Sequence, residues 1–251
     1  MGTGFATLTP VKGNPAIEVS EAGDVILSGI VIDAGRVRSE SLLVMEPGFT
    51  QMPNNSEPSF LYDIFFRVGG PDDGSSKSCM VINCDNVVID HAWIWRADHG
   101  RGVGWERNRC ANRLVVNGNN VIIYGLFNEH FQEYQTLWNG ENGRVFFYQS
   151  EMPYDPPSVD AWKHDGINGY ASYKVADNVM SHQAWGLGIY NVFYDAPVIC
   201  DNAIETPVHL EDSIHHKVIF WLNGNRESVV RSIINGKGGQ VDAGNRKAAM
   251  K

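Results

Sequence analysis

Several things are scarce in this sequence. No apolar run approaches the ~20 residues that cross a bilayer as a helix. The opening Met1-Gly2-Thr3-Gly4-Phe5-Ala6 has no basic segment followed by an apolar stretch, so it does not read as a secretory leader. Only four cysteines occur, at 79, 84, 110 and 200, too few for a disulfide scaffold and not spaced as a zinc knuckle or a redox CxxC pair. They are expected to be buried thiols, with a local Cys79–Cys84 bridge as the alternative. Positive charge is short: 20 Lys and Arg stand against 29 Asp and Glu, a net charge of −9, with no basic stripe. Nucleic acid and anionic membranes are therefore poor partners. The eight histidines (91, 99, 130, 164, 182, 209, 215, 216) make no HExxH or comparable spacing, and Asp72-Asp73 is thin material for calcium. No metal and no cofactor is expected. GxSxG and phosphate-loop motifs are missing, as are long helical patterns.

What is present is a repeated strand-like unit. A turn residue is followed by a Val-x-Ile-like run and a polar or glycine corner. Copies run over 24–33, 86–95, 120–129 and 144–151, with later ones at 174–179 and 217–221. The steps from Val87 to Val121, from Val121 to Val145 and from Val145 to Val175 are uneven but alike in scale, which suits coils with variable loops. The expected fold is all-β, a right-handed parallel β-helix. A β-sandwich is the alternative, because Asn117-Gly118, Asn139-Gly140 and Asn223-Gly224 are also hairpin signals. A length of 251 residues with 43% hydrophobic content buries one core. One domain is expected over 1–240, with the small, polar segment 241–251 as a flexible tail. A β-helix needs a cap on its first coil, and Met1 to Pro15 offers no amphipathic helix for this. The expectation is that the chain starts within a larger architecture or docks onto something.

Carboxylates and aromatic rings concentrate between 129 and 155. Glu129 and Glu151 are separated by close to one local coil, so they are expected to project as neighbours from one face. Two carboxylates held that close repel, which raises one pKa and keeps a proton available for acid catalysis. Glycoside hydrolysis needs such a donor, and aromatic faces stack on sugar rings. Each glutamate has a plainer reading: Glu129 as a ladder residue tying Arg or Asn side chains, Glu151 as the start of a rigid Pro-rich loop. Glu133 and Glu141 are expected on solvated loops. Trp138 and Tyr154 are aromatic candidates for sugar contact. Trp93 and Trp95 are expected to divide, one in the core and one exposed beside an acid. Trp185 and Trp221 are expected in the core. An acidic balance argues against a basic uronate cleft of the pectate lyase kind.

The stretches 91–100, 115–118, 124–131, 148–157, 173–177 and 184–188 resemble glycoside hydrolase family 55. The resemblance implies an inverting, mostly exo-acting β-1,3-glucanase (laminarinase) made of two right-handed β-helices side by side, secreted, with this chain as the second helix only. It implies that Glu151 is the general acid, Glu129 a second active-site glutamate and Trp95 a sugar-contacting aromatic. It also implies that the groups holding the nucleophilic water lie in the first helix. The implied partners are β-1,3-glucan and a companion β-helix chain or a second copy. A non-catalytic glucan-binding or structural module is the alternative.

Overall fold

The computed structural model describes Gly2 and residues 6–47 and 57–251. Met1 and residues 3–5, which enter the leader and cap readings, lie outside the described residues, as do 48–56. Among the described residues, nine strands form one long sheet: β1 (Ala6–Leu8), β3 (Ile26–Asp33), β5 (Ser59–Val68), β7 (Val87–Arg96), β9 (Ile122–Glu129), β11 (Gly143–Glu151), β15 (His182–Phe193), β18 (Ile214–Gly224) and β20 (Lys247–Met250). Seven form a second sheet: β2 (Ile17–Ala22), β4 (Ser39–Pro47), β6 (Ser76–Ile82), β8 (Asn112–Val116), β10 (Thr136–Trp138), β14 (Tyr173–Val175) and β17 (Ile204–Glu205). Two small pairs, β12 (Lys163–His164) with β13 (Ile167–Asn168) and β16 (Ile199–Cys200) with β19 (Val229–Val230), sit on the later coils. From β1 to β11 strands alternate between the two sheets, and within both sheets neighbours pair in parallel except β18 with β20, which makes a parallel β-helix. The sandwich alternative is excluded. No helix among the described residues is long and apolar enough to cross a membrane.

The core is built in columns. Ile32, Phe66, Ile94, Asn128, Ser150, Ile189 and Ile219 stand opposite one another in successive coils and point inward. β-Branched and aromatic residues suit this, because each inward position packs against the same position one coil away.

Each long strand is bent at its middle. Gly29, Asp63, His91, Gly125, Phe147, Gly186 and His216 occupy that bend with φ between 52° and 72°. This left-handed residue inserts one position and resets the inward–outward alternation, as in a β-bulge. In β7 both Ile89 and Ala92, three apart, are therefore buried. Glycine meets the φ requirement without cost, whereas Phe147 is strained there.

A second left-handed corner carries Asn86, Asn120 and Asn142, whose side-chain amides hydrogen-bond coil to coil at 3.1 and 3.2 Å. Asn83, Asn117 and Asn139 form a parallel ladder at 2.6 and 2.7 Å. The first two Asn-Gly pairs thus mark stacked corners rather than hairpins. A Cβ on Gly140 would run into the Gly118 carbonyl, so the close coil spacing requires glycine there.

Three expectations shift. The 174–179 copy belongs to the other sheet, as β14, while β5 and β15 are full copies that the repeat spacing missed. The step from β9 to β11 pairs Ile123, not Val121, with Val145, which is the same separation as Glu129 to Glu151. The segment expected as a loose tail, 241–251, contains β20, which pairs antiparallel with β18 through Lys217 to Phe220. Backbone hydrogen bonding to an open strand edge outweighs its small, polar composition. The four cysteines are buried free thiols.

Candidate active site

Register rows run along the outside of the nine-stranded sheet, and chemistry gathers in one of them. Asp33, Arg67, Trp95, Glu129, Glu151, Tyr190 and Phe220 are aligned in consecutive coils, the first five last or next to last in their strands. Glu129 and Glu151 are direct register partners, so their backbones are about 4.8 Å apart. The mid-strand bend separates this row from the stack Tyr124–Phe146–Trp185–His215, whose ring centroids are 5.1, 4.7 and 5.5 Å apart.

The two glutamates sit in different surroundings. Glu129 Oε2 accepts a hydrogen bond from Trp93 Nε1 at 3.0 Å. Burial raises its pKa above the usual carboxylate value; the Trp93 bond opposes this, and the charge of Glu151 adds to it. Glu151 Oε2 accepts a hydrogen bond from the Tyr154 hydroxyl, and Gln149 Nε2 approaches its Oε1 at 3.4 Å. Burial, and then the hydrogen bond to Glu151, push the Tyr154 phenol well up, so it stays protonated and donates.

Trp93 and Trp95 do not divide between core and solvent. Residues two apart on a strand share a face, and both rings are half-buried on the outside, stacked at 5.6 Å with an interplanar angle of 14°. The pair forms one aromatic wall beside Glu129. Trp185 is also outward, stacked on Phe146, whereas Trp221 is buried. Trp138 does not join the site. It is 0% exposed, because β10 turns Thr136 and Trp138 inward and only Leu137 outward. Its ring packs against His182 at 4.6 Å, in the core. Glu141 has a structural task, accepting the backbone N–H of Met180 at 2.9 Å and of Ser181 at 2.9 Å.

Loops behind the glutamates are fixed by a buried cation. Arg96, 1% exposed, donates to the carbonyls of Asn108, His130 and Gly104 at 2.9, 3.0 and 3.1 Å. It also grips both oxygens of Asp155 at 2.8 Å. That pair anchors the loop presenting Tyr154, the neighbour of Asp155. The His130 ring lies 4.2 Å from the Tyr154 ring, and burial lowers its pKa to about 4, leaving it neutral near pH 7. A cavity of about 250 Å³ lies among Asp98, His130, Tyr154 and Tyr194.

Beneath the glutamates the inward column turns polar. Asn128 Nδ2 donates to Gln135 O at 3.1 Å and to Thr136 Oγ1 at 2.8 Å, and Ser172 Oγ donates to Ser150 Oγ at 2.6 Å. A buried network of this kind stiffens the two coils that carry the acids. Sequence reading missed Arg96, the Trp93 bond to Glu129, Gln149 and this network. The Asn-Glu and Ser-Glu pairs at the two strand ends were the available signal, a polar residue at an inward position just before each acid. Among the described residues no group of His, Cys, Asp and Glu is placed to hold a metal ion.

The chain is similar to known proteins along most of its length. The family model for the LAM55 pectate lyase-like domain matches residues 1–151. An exo-beta-1,3-glucanase of Streptomyces sp. (strain SirexAA-E / ActE) is 40% identical over 225 residues, 89% of this chain and 37% of that protein. The structure of sacteLam55A from Streptomyces sp. SirexAA-E superposes with a TM-score of 0.90 at 36% identity, over 98% of this chain and 45% of that one. A variant of sacteLam55A with one glutamate replaced by alanine, in complex with glucose, matches with the same TM-score of 0.90 over 44% of its chain. The chain spans less than half the length of these relatives. With its parallel β-helix, the chain belongs to glycoside hydrolase family 55 and carries that family's LAM55 pectate lyase-like domain.

Proposed function

We propose that this chain carries the general-acid side of a β-1,3-glucan hydrolase cleft. One observation carries the reading: two register-paired glutamates, Glu129 and Glu151, stand beside a stacked Trp93–Trp95 wall, with Tyr154 holding Glu151. Glu151 protonates the departing glycosidic oxygen. Tyr154 fixes the orientation of its carboxyl group, and Trp95 meets the pyranose face. Glu129, half-buried and close to Glu151, keeps a proton in the pair.

The two carboxyl groups project side by side from one face. They cannot stand on opposite sides of an anomeric carbon, as an acid and a nucleophile-activating group must. The group that directs water therefore belongs outside this face. This supports a reaction completed by a further β-helix, either elsewhere in a longer protein, in a companion chain or in a second copy; the inverting course is what the family resemblance implies. A neutral extracellular glucan suits a site without net basic charge, and secretion fits such a substrate.

The test is reducing-sugar release from β-1,3-glucan by the chain alone and together with the complementary half of a family member. Hydrolysis is expected only in the combination, and Glu151→Gln should abolish it while the melting temperature holds. Full activity of that variant would refute the role of Glu151. Binding of the glucan without any release in either case would instead favour a glucan-binding module.

A further inference from the structure

We propose that the cavity at the far end of the glutamate row is a distal subsite for the glucan chain, built on the Asp33–Arg67 pair and reached past Trp95. It rests on the β-1,3-glucan reading above. The cavity measures about 370 Å³ and is lined by Asp33, Arg67, Pro10, Val37 and Pro71, among others. That volume lies within the range of small-ligand pockets.

Position is the first argument. Asp33 and Arg67 occupy the same register row as Trp95 and Glu129. Arg67 is one coil beyond Trp95 and three coils from Glu151, about 14 Å along the axis. The turn at Gly69–Pro71 connects the two places. Gly70 lies so close to Trp95 that a Cβ there would meet ring atoms Cζ3 and Cη2 at 3.2 and 3.3 Å, while Gly69 and Pro71 line the cavity. A chain lying on the outer face of Trp95 and continuing along the row enters this cavity next.

Chemistry is the second. Arg67 donates Nε and Nη2 to the two oxygens of Asp33 at 2.7 and 2.8 Å. This geometry leaves Nη1 for another acceptor and leaves lone pairs on the carboxylate. A fixed planar donor beside a fixed acceptor suits ring hydroxyls, and each internal 3-linked glucosyl unit offers its 2-OH, 4-OH and 6-OH. Charges around the cavity also cancel. Arg67 pairs with Asp33, Arg36 with Asp72 and Arg107 with Asp73. A compensated set of this kind favours a neutral polyhydroxyl ligand over an anion or a cation. Pro10, Val37 and Pro71 supply apolar wall for the C–H faces of a pyranose.

The test is calorimetric titration of the protein with β-1,3-linked glucotriose and glucohexaose. The hexaose is expected to bind more tightly than the triose. Arg67→Met should weaken hexaose binding about tenfold, the loss of one charge-assisted hydrogen bond, and leave triose binding as it was. Asp33→Asn, nearly isosteric, should weaken the hexaose about threefold with an unchanged melting temperature, which guards against misfolding of the first variant. Hexaose affinity unaltered in both variants would overturn the subsite alone. Wild-type protein that binds neither sugar would overturn the glucan reading together with it.

Discussion

The Trp93 indole is the most informative place to perturb the site. Its Nε1 donates to Glu129 Oε2 at 3.0 Å, and it is the foremost influence holding down a carboxyl whose pKa burial raises. Trp93→Phe keeps an aromatic ring stacked on Trp95 and deletes only the donor. A hydrogen bond to a charged group is worth about 1.5–3 kcal/mol. Its loss should raise the Glu129 pKa further. Partial solvent access favours the lower end of that energy range. The assay is a carbon-13 titration of the glutamate carboxyl groups, wild type against variant, with Glu129→Gln to assign the signal. One carboxyl titration should move upward. In the active assembly the limb of the pH–rate profile that follows the glutamate pair should move the same way. A Glu129 titration that stays put, or moves down, would refute the claim that this bond stabilises the ionised form.

Further consequences concern stability. The folded-state pKa of Glu129 is raised, so the stability linked to it is present at low pH and lost as pH rises through that pKa. Glu129→Gln removes the buried charge, and its melting temperature at pH 7 should exceed that of the wild type, by about 1 kcal/mol in stability, while any hydrolysis falls. Arg96→Met strands Asp155 and three carbonyls; a loss of about 3–5 kcal/mol in denaturant unfolding is expected, whereas Arg96→Lys keeps the charge but not the fork. Burial depresses His130 to about 4 and His182 to about 3, from 6.5. Their neutral forms stabilise the fold fully above pH 6.5, and this is lost as pH falls toward those values. Acid unfolding should therefore begin below pH 6.5, and His182→Gln should flatten that limb. An unfolding free energy that stays level from pH 7 to pH 4.5 in the wild type would contradict it.

Much of this molecule was legible in one dimension. Turn-strand-corner units at coil-like spacing pointed to the β-helix, because stacking identical positions needs apolar inward residues and polar corners in fixed order. A separation equal to the local coil placed Glu129 beside Glu151. The misreadings have physical causes. Trp93 and Trp95 are two apart and both lie beyond the bend at His91, so strand geometry alone puts them on one face; the bend decides which face that is. Trp138, in a chemically suggestive stretch, is turned inward because β10 belongs to the other sheet. Arg96 meets Asp155 from a distant part of the chain, across the intervening coil of β9. The sequence by itself determined the coiled architecture and the pair of acids, because these depend on local pattern and on the separation of Glu129 from Glu151. Only the tertiary structure decided which rings form the wall beside Glu129, which residues hold Tyr154 in place and how far the row extends to Asp33, because those depend on which coils stack and where each strand bends.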